Sequence, residues 1–244
     1  MSVLVTGSAG FIGFSLSLKL LKKGLDVTGI DNHNSYYDPT LKEARVKILK
    51  SFENYKHFRL DISEQILVEE IFKKIQPSIV INLAAQAGVR YSIENPLAYI
   101  DSNLKGFINI LEGCRHYKIK NLIYASSSSV YGSNTKIPFN THDATNHPLS
   151  LYAASKRSNE LMAHTYSHLY GIPTTGLRLF TVYGPWGRPD MAPMLFANGI
   201  ISREKIRINN NGDMSRDFTY IDDVIEIIFR LIFKPATPSY DFDK

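Results

Sequence analysis

Short apolar runs alternate along the chain with longer segments whose apolar residues recur every three or four positions. Val3–Val5 reads as a strand, and Phe11–Lys23 as a helix carrying Phe11, Ile12, Leu16, Leu18, Leu20 and Leu21 on its apolar positions. The alternation continues through a strand at Asp26–Ile30, a helix at Leu41–Leu49, a strand at His57–Ile62 and a helix at Glu64–Ile75, which Pro77 stops. Ser78–Ala85 is almost continuously apolar, as suits the middle of a parallel sheet. A long helix is expected over Leu97–Tyr117, a strand over Asn121–Ser126, a helix over Tyr152–Tyr170 closed by Gly171 and Pro173, and a strand over Thr174–Phe180. This order predicts an α/β fold with a doubly wound parallel sheet. Right-handed crossovers then bring every strand's C-terminal end to one edge, and the loops there should carry the function. After Phe180 the pattern breaks, with Gly184, Pro185, Gly187, Pro189 and Pro193 crowded together. Residues 1–180 are therefore expected to form the sheet domain. Residues 181–244 should form a smaller second region, whose 216–233 stretch packs back on the first.

Composition narrows the classes. The net charge of +5 favours anionic partners, but Lys and Arg are spread out with no dense run, which argues against nucleic acid. The lone cysteine, Cys114, lies in an apolar helical stretch and has no partner for an internal disulfide, which fits a reducing compartment. The seven histidines show no metal-ligand spacing, so no metal is expected. No apolar run approaches the roughly twenty residues that cross a bilayer. The chain opens on a strand rather than a charged leader. No membrane partner and a cytoplasmic location are the expectation.

Gly7-Ser8-Ala9-Gly10-Phe11-Ile12-Gly13 follows the first strand and opens the first helix. Glycines there permit a tight turn and close backbone approach, and the free N–H groups of the helix start suit a pyrophosphate. The spacing is GxxGxxG rather than GxGxxG, so the loop is weak evidence alone; a close helix–strand contact also wants small residues. Asp31, at the end of the second strand, strengthens it, since a carboxylate can accept both ribose hydroxyls and repels a 2′-phosphate. Together these predict a Rossmann-type domain binding NAD. At the same edge, Asp61 and Ile62 can meet the adenine, and Leu83, Ala84 and Ala85 let a cofactor lie against backbone. Asn103, in the following helix, is read either as a cofactor contact or as a buried amide tying helix to sheet.

Tyr152 and Lys156 lie four residues apart and share a helix face. A phenol is a poor base at neutral pH, and a nearby ammonium together with a nicotinamide ring would stabilise its phenolate. Such pairs also arise by chance on helices. The run Ser126-Ser127-Ser128-Ser129 at the end of the fifth strand weakens that reading, because a hydroxyl there can relay a proton to the phenol.

These pieces, with Asp31-Asn32 and Ser215-Arg216-Asp217-Phe218-Thr219-Tyr220-Ile221-Asp222-Asp223, resemble the extended short-chain dehydrogenase/reductase superfamily over essentially the whole chain. Asp31-Asn32-His33-Asn34-Ser35-Tyr36-Tyr37-Asp38 and Gly184-Pro185-Trp186-Gly187-Arg188-Pro189-Asp190 are similar to signatures of its UDP-glucuronate 4-epimerases. The resemblance implies Tyr152 and Lys156 as the catalytic pair and Ser127 as proton relay, with Ser128 and Ser129 beside it. It implies Asn32 at the cofactor and Thr181 where neutral-sugar epimerases usually carry Asn. Arg188 would pair with a hexuronate carboxylate, Arg216 with the UDP phosphates, and Arg90 would face the diphosphate. The implied reaction interconverts UDP-glucuronate and UDP-galacturonate by transient oxidation at C4. Related dehydratases and UDP-xylose synthases carry an acid in the serine loop; here there is none, so elimination is disfavoured. The resemblance further implies a homodimer through a four-helix contact of Leu97–Tyr117 and Tyr152–Tyr170. Family members run on well beyond the Arg216 motif, so 181–244 is expected to be an incomplete substrate region. A UDP-glucose or UDP-N-acetylhexosamine 4-epimerase, and an NAD-binding protein without catalysis, remain the alternatives.

Overall fold

The computed structural model describes residues 1–238. Residues 239–244 of the expected second region lie outside the described residues. The elements run β1 (Ser2–Thr6), α1 (Phe11–Lys22), β2 (Asp26–Asp31), α2 (Pro39–Leu49), β3 (Tyr55–Arg59), α3 (Gln65–Ile75), β4 (Ile79–Asn82), α4 (Tyr91–Glu94) and α5 (Pro96–Tyr99). A π-helical segment over Ile100–Lys105 leads into α6 (Gly106–His116), followed by β5 (Asn121–Ala125), α7 (Leu151–Tyr170), β6 (Thr174–Leu177), β7 (Thr181–Tyr183), α8 (Ala192–Ser202), β8 (Phe218–Tyr220) and α9 (Ile221–Ile232).

The first six strands form one parallel sheet in the order β3-β2-β1-β4-β5-β6. The central strands are buried on both faces, which is why Val3–Val5, Ile79–Ile81 and Leu122–Ile123 read as unbroken apolar runs. One layer packs Phe14, Leu16 and Leu20 of α1 against Val224, Ile225, Ile228 and Ile232 of α9. The other packs Phe72 of α3, Phe107, Ile110 and Leu111 of α6, and Ala163 of α7 on Leu4, Val80 and Leu122. Cys114 sits in this second layer, and burial pushes its thiol upward, which leaves it a packing residue.

Four elements differ from expectation; two of them, the fourth and sixth strands, stop at Asn82 and Leu177, three residues before Ala85 and Phe180. The third strand is Tyr55–Arg59 rather than His57–Ile62, because its register pairs Val27 with Tyr55 and Asp31 with Arg59; Asp61 and Ile62 lie in the loop beyond it. The expected helix over Leu97–Tyr117 is interrupted by the Ile100–Lys105 π segment. The wider turn there carries Asn103, whose carbonyl accepts from Asn159 Nδ2 at 2.6 Å and whose side chain bonds to Gln86 and Ser155. Those partners on other elements compensate a departure from regular helix that a hydrophobic pattern does not reveal.

Residues 181–220 depart from the main sheet. β7 and β8 form a parallel pair with Thr181 opposite Phe218 and Tyr183 opposite Tyr220. α9 then returns to cover α1, with Lys19 Nζ donating to Glu226 at its flank. Among the described residues no helix is long and apolar enough to cross a membrane, and no cluster of His, Cys, Asp and Glu could hold a metal ion.

Candidate functional site

A cleft of about 1080 Å³ opens at the C-terminal edge of the sheet. Gly7, Gly10, Phe11, Ile12, Gly13, Asp31, Asn32, Asp61, Ile62, Leu83, Ala84 and Ala85 line one part of it. Ser127, Ser128, Ser129, Tyr152, Lys156, Thr181, Arg188, Arg90 and Arg216 line the rest. Asn103 does not. Its Oδ1 accepts from Gln86 N at 2.8 Å and its Nδ2 donates to Gln86 O and Ser155 Oγ, so of its two readings the structure has the buried tie.

The glycine turn is built for a phosphate group. Gly7 has φ +68°, and a Cβ on it would meet Ala84 N at 2.8 Å. Gly13 is tighter still: a Cβ there would stand 2.1 Å from the Gly7 carbonyl oxygen. α1 therefore starts hard against the turn, and no side chain caps it. The free N–H groups of its first turn face the cleft, as a pyrophosphate requires. Asp31 ends β2, accepting from Ala9 N at 3.1 Å and His33 N at 2.9 Å, with lone pairs left for a ribose. Asn32 Nδ2 donates to Asp61 at 2.6 Å. Burial pushes the Asp61 carboxyl up, but the hydrogen bonds from Ser63 and Asn32 outweigh it and hold the group below its ordinary range.

The second half of the cleft holds the acid–base groups. Ser127 Oγ accepts from Ser129 N at 3.1 Å, which leaves its proton free for the Tyr152 oxygen that it bonds. Burial raises the Tyr152 phenol above its ordinary value, while the Ser127 hydrogen bond and the charge of Arg188 act in the opposite sense. Lys156 Nζ donates to Ala125 O at 2.8 Å. Tyr152 and Lys156 thus both line the cleft, with Lys156 Nζ bonded to the end of β5 and the Arg188 charge also acting on the phenol.

Burial lowers the Lys156 ammonium from the ordinary lysine value of 10.5 to about 8. The folded state then binds fewer protons than the unfolded chain between those values, so this group adds stability as pH rises through the window. Stability of the cofactor-free protein minus that of Lys156→Met should rise by roughly 1–3 kcal/mol between about pH 8 and 10. Denaturant titrations at both pH values check this, and a flat difference would refute it.

Two groups lining the cleft, Asp190 and Tyr36, and one buried behind it, Arg45, were not singled out from the sequence. Asp190 holds Arg188 with both oxygens, accepting from Nε at 3.0 Å and also from Nη2. Tyr36 Oη donates to the same carboxylate at 3.1 Å. The Asp190 bonds and charge outweigh burial and raise the Arg188 guanidinium further above its ordinary value. Arg45, fully buried on α2, donates to Ala9 O, Tyr37 Oη and Trp186 O, and so ties the glycine turn to the loop that carries Arg188. The Arg188–Asp190 pair had a sequence signal, two opposite charges flanking one proline; the Arg45 ties span distant loops and had none.

Residues 3–241 match the NAD dependent epimerase/dehydratase family. The chain belongs to that family. Its NAD cofactor fits the residues present, with the glycine turn and the uncapped start of α1 for the diphosphate and Asp31 for a ribose. Among family members, the Staphylococcus aureus protein CapI is 58% identical over 99% of this chain and 72% of its own length. A probable UDP-glucuronate 4-epimerase of Rhizobium meliloti is 50% identical over 97% of this chain and 70% of its own. The crystal structure of UDP-glucuronic acid 4-epimerase from Bacillus cereus, in complex with UDP-glucuronic acid and NAD, has a TM-score of 0.89 at 36% identity, covering 95% of this chain and 73% of that one.

Proposed function

We propose that the protein is a nucleotide-sugar 4-epimerase that interconverts UDP-glucuronate and UDP-galacturonate. One observation carries the choice of sugar: Arg188 lines the same cleft as Tyr152 and lies close enough for its charge to act on the phenol. A hexose whose C4 hydroxyl meets Tyr152 carries its C6 group one ring carbon away, where a guanidinium suits a carboxylate. Asp190 takes the Nε and Nη2 edge of Arg188, and the ring of Tyr36 lies against the same guanidinium, which leaves Nη1 as the edge Asp190 does not take. That edge is the one offered to the substrate.

NAD, when bound, accepts the C4 hydride and returns it. Tyr152 Oη takes the C4 hydroxyl proton, directly or through Ser127 Oγ, and gives it back after the sugar has turned over. Lys156 holds the end of β5 through Ala125 O. Arg216 and Arg90, both at the rim of the cleft, anchor the diphosphate while the sugar turns. The serine loop offers no carboxylate for protonating a leaving hydroxyl, which favours epimerisation over elimination. A second copy of the chain is the partner that this reading supplies, and Leu97, Ile100, Leu161 and Leu169 offer exposed apolar side chains for it on the two helical segments concerned.

The test is incubation with UDP-glucuronate and NAD, with UDP-galacturonate as the expected product. Arg188→Ala should lower kcat/KM for UDP-glucuronate by roughly 10- to 100-fold, the worth of a charged hydrogen bond, and change that for UDP-glucose far less. Equal losses on both sugars would remove Arg188 from carboxylate recognition.

A further inference from the structure

α7 meets the end of β5 at three successive turns. Tyr152 bonds Ser127, Lys156 Nζ donates to Ala125 O at 2.8 Å, and Ser126 Oγ donates to Glu160 Oε1 at 2.6 Å. The first two rungs belong to the acid–base site. The third has no place in the chemistry, yet it is the most heavily braced. Glu160 Oε1 also accepts from Arg178 Nε at 2.9 Å, and its Oε2 accepts from Arg178 Nη2 and Arg157 Nη1, both at 2.9 Å. Arg178 follows β6 and lies 4.9 Å over the ring of Tyr131, so the carboxylate is fixed from α7, from the neighbouring strand and from beneath the serine loop. Ser126 is 3% exposed and the Glu160 side chain 11%.

We propose that Ser126 and Glu160 are positioning residues that set the register of the serine loop against α7, so that the Ser127 hydroxyl points at the Tyr152 oxygen. The stiffness of the rungs supports this division of labour. A lysine reaches its carbonyl on four flexible methylenes and tolerates a shift of the strand end. A serine has one rotatable bond to its oxygen, and a carboxylate held by a guanidinium fork has little freedom. The peptide between Ser126 and Ser127 is therefore fixed by the Glu160 rung. A displacement of even one ångström at Ser127 breaks its bond to the phenol, because such bonds weaken steeply beyond their short range.

Ser126→Ala removes the rung and leaves the Glu160–Arg178 pair in place. The experiment measures ultraviolet titration of the Tyr152 phenol, taken as the difference between each protein and its Tyr152→Phe counterpart. It adds the pH dependence of kcat/KM for UDP-glucuronate and UDP-glucose. Losing the Ser127 bond raises the phenol. In Ser126→Ala its midpoint should therefore move up by about half a unit or more, and the acid limb of the rate profile should move with it. Ser126→Thr, which keeps the hydroxyl, should restore both, and Glu160→Gln should shift the midpoint in the same direction. The titration needs no turnover, so it decides even if neither sugar is a substrate. An unmoved phenol in Ser126→Ala, whether or not turnover falls, would overturn the proposal, because the Ser127 hydroxyl would then keep its place without the rung.

Discussion

Tyr152→Phe should lower turnover by roughly 10²- to 10⁴-fold, the usual worth of a positioned acid–base group, with NAD affinity nearly unchanged. The substitution deletes one oxygen and keeps the ring, which packs edge-on against Tyr99 at 6.1 Å. Ser127 loses an acceptor but still accepts from Ser129 N, so the loop keeps its shape. The glycine turn and Asp31 lie on other elements and are untouched. Steady-state rates with calorimetry of NAD binding check both halves. Near-normal turnover would mean that another group takes the C4 proton. Lost NAD binding would mean that the phenol serves the cofactor rather than the sugar.

Gly13→Ala should fail at an earlier stage, losing NAD binding by roughly 100-fold or more and several kcal/mol of stability. The added methyl would stand 2.1 Å from Gly7 O, 2.8 Å from Gly7 C and 3.0 Å from Ser8 Cα. All three are backbone atoms, so no side chain can swing away. Either α1 backs off the turn or the turn deforms, and both moves misplace the N–H groups meant for the diphosphate. The thermal midpoint and a binding isotherm read the two effects separately. Gly24→Ala is the comparison: unlike Gly13 it has positive φ, at +77°, and its Cβ would meet nothing within 4 Å, so it tests backbone strain without close approach. Were Gly13→Ala to bind NAD as the parent does, close approach of the helix to the turn would not be what makes the site.

How much of this was legible beforehand follows from the range of each interaction. The central strands announced themselves because burial on both faces leaves no polar positions, and their loops then fell on one edge by the handedness of the crossovers. The glycine turn, Asp31 and the serine loop were readable because each sits at the end of a strand at that edge, and Tyr152 because it opens a helix one turn ahead of Lys156. The start of the third strand was not, since Tyr55 and His57 are both plausible sheet residues and only pairing with Val27 fixes the register. Asn103 stood between two roles because a buried amide looks the same in sequence whether it meets a cofactor or a backbone. Arg45 and Glu160 were opaque for another reason. Their meaning lies in partners far along the chain, Trp186 for one and Arg178 for the other, and composition carries no trace of such pairings.

The return of α9 onto α1 has a mechanical consequence. The chain leaves the main sheet after Leu177 and is back in its core at Ile221, so everything between is a loop with both feet planted in one body. The feet stand side by side, because Thr181 and Phe218 are neighbours in a hydrogen-bonded strand pair. Arg188 and Arg216 therefore stand on opposite arms of one excursion closed by that strand pair, and the Arg188 arm is anchored a second time to the sheet domain, through Arg45 on Trp186 O and Tyr36 on Asp190.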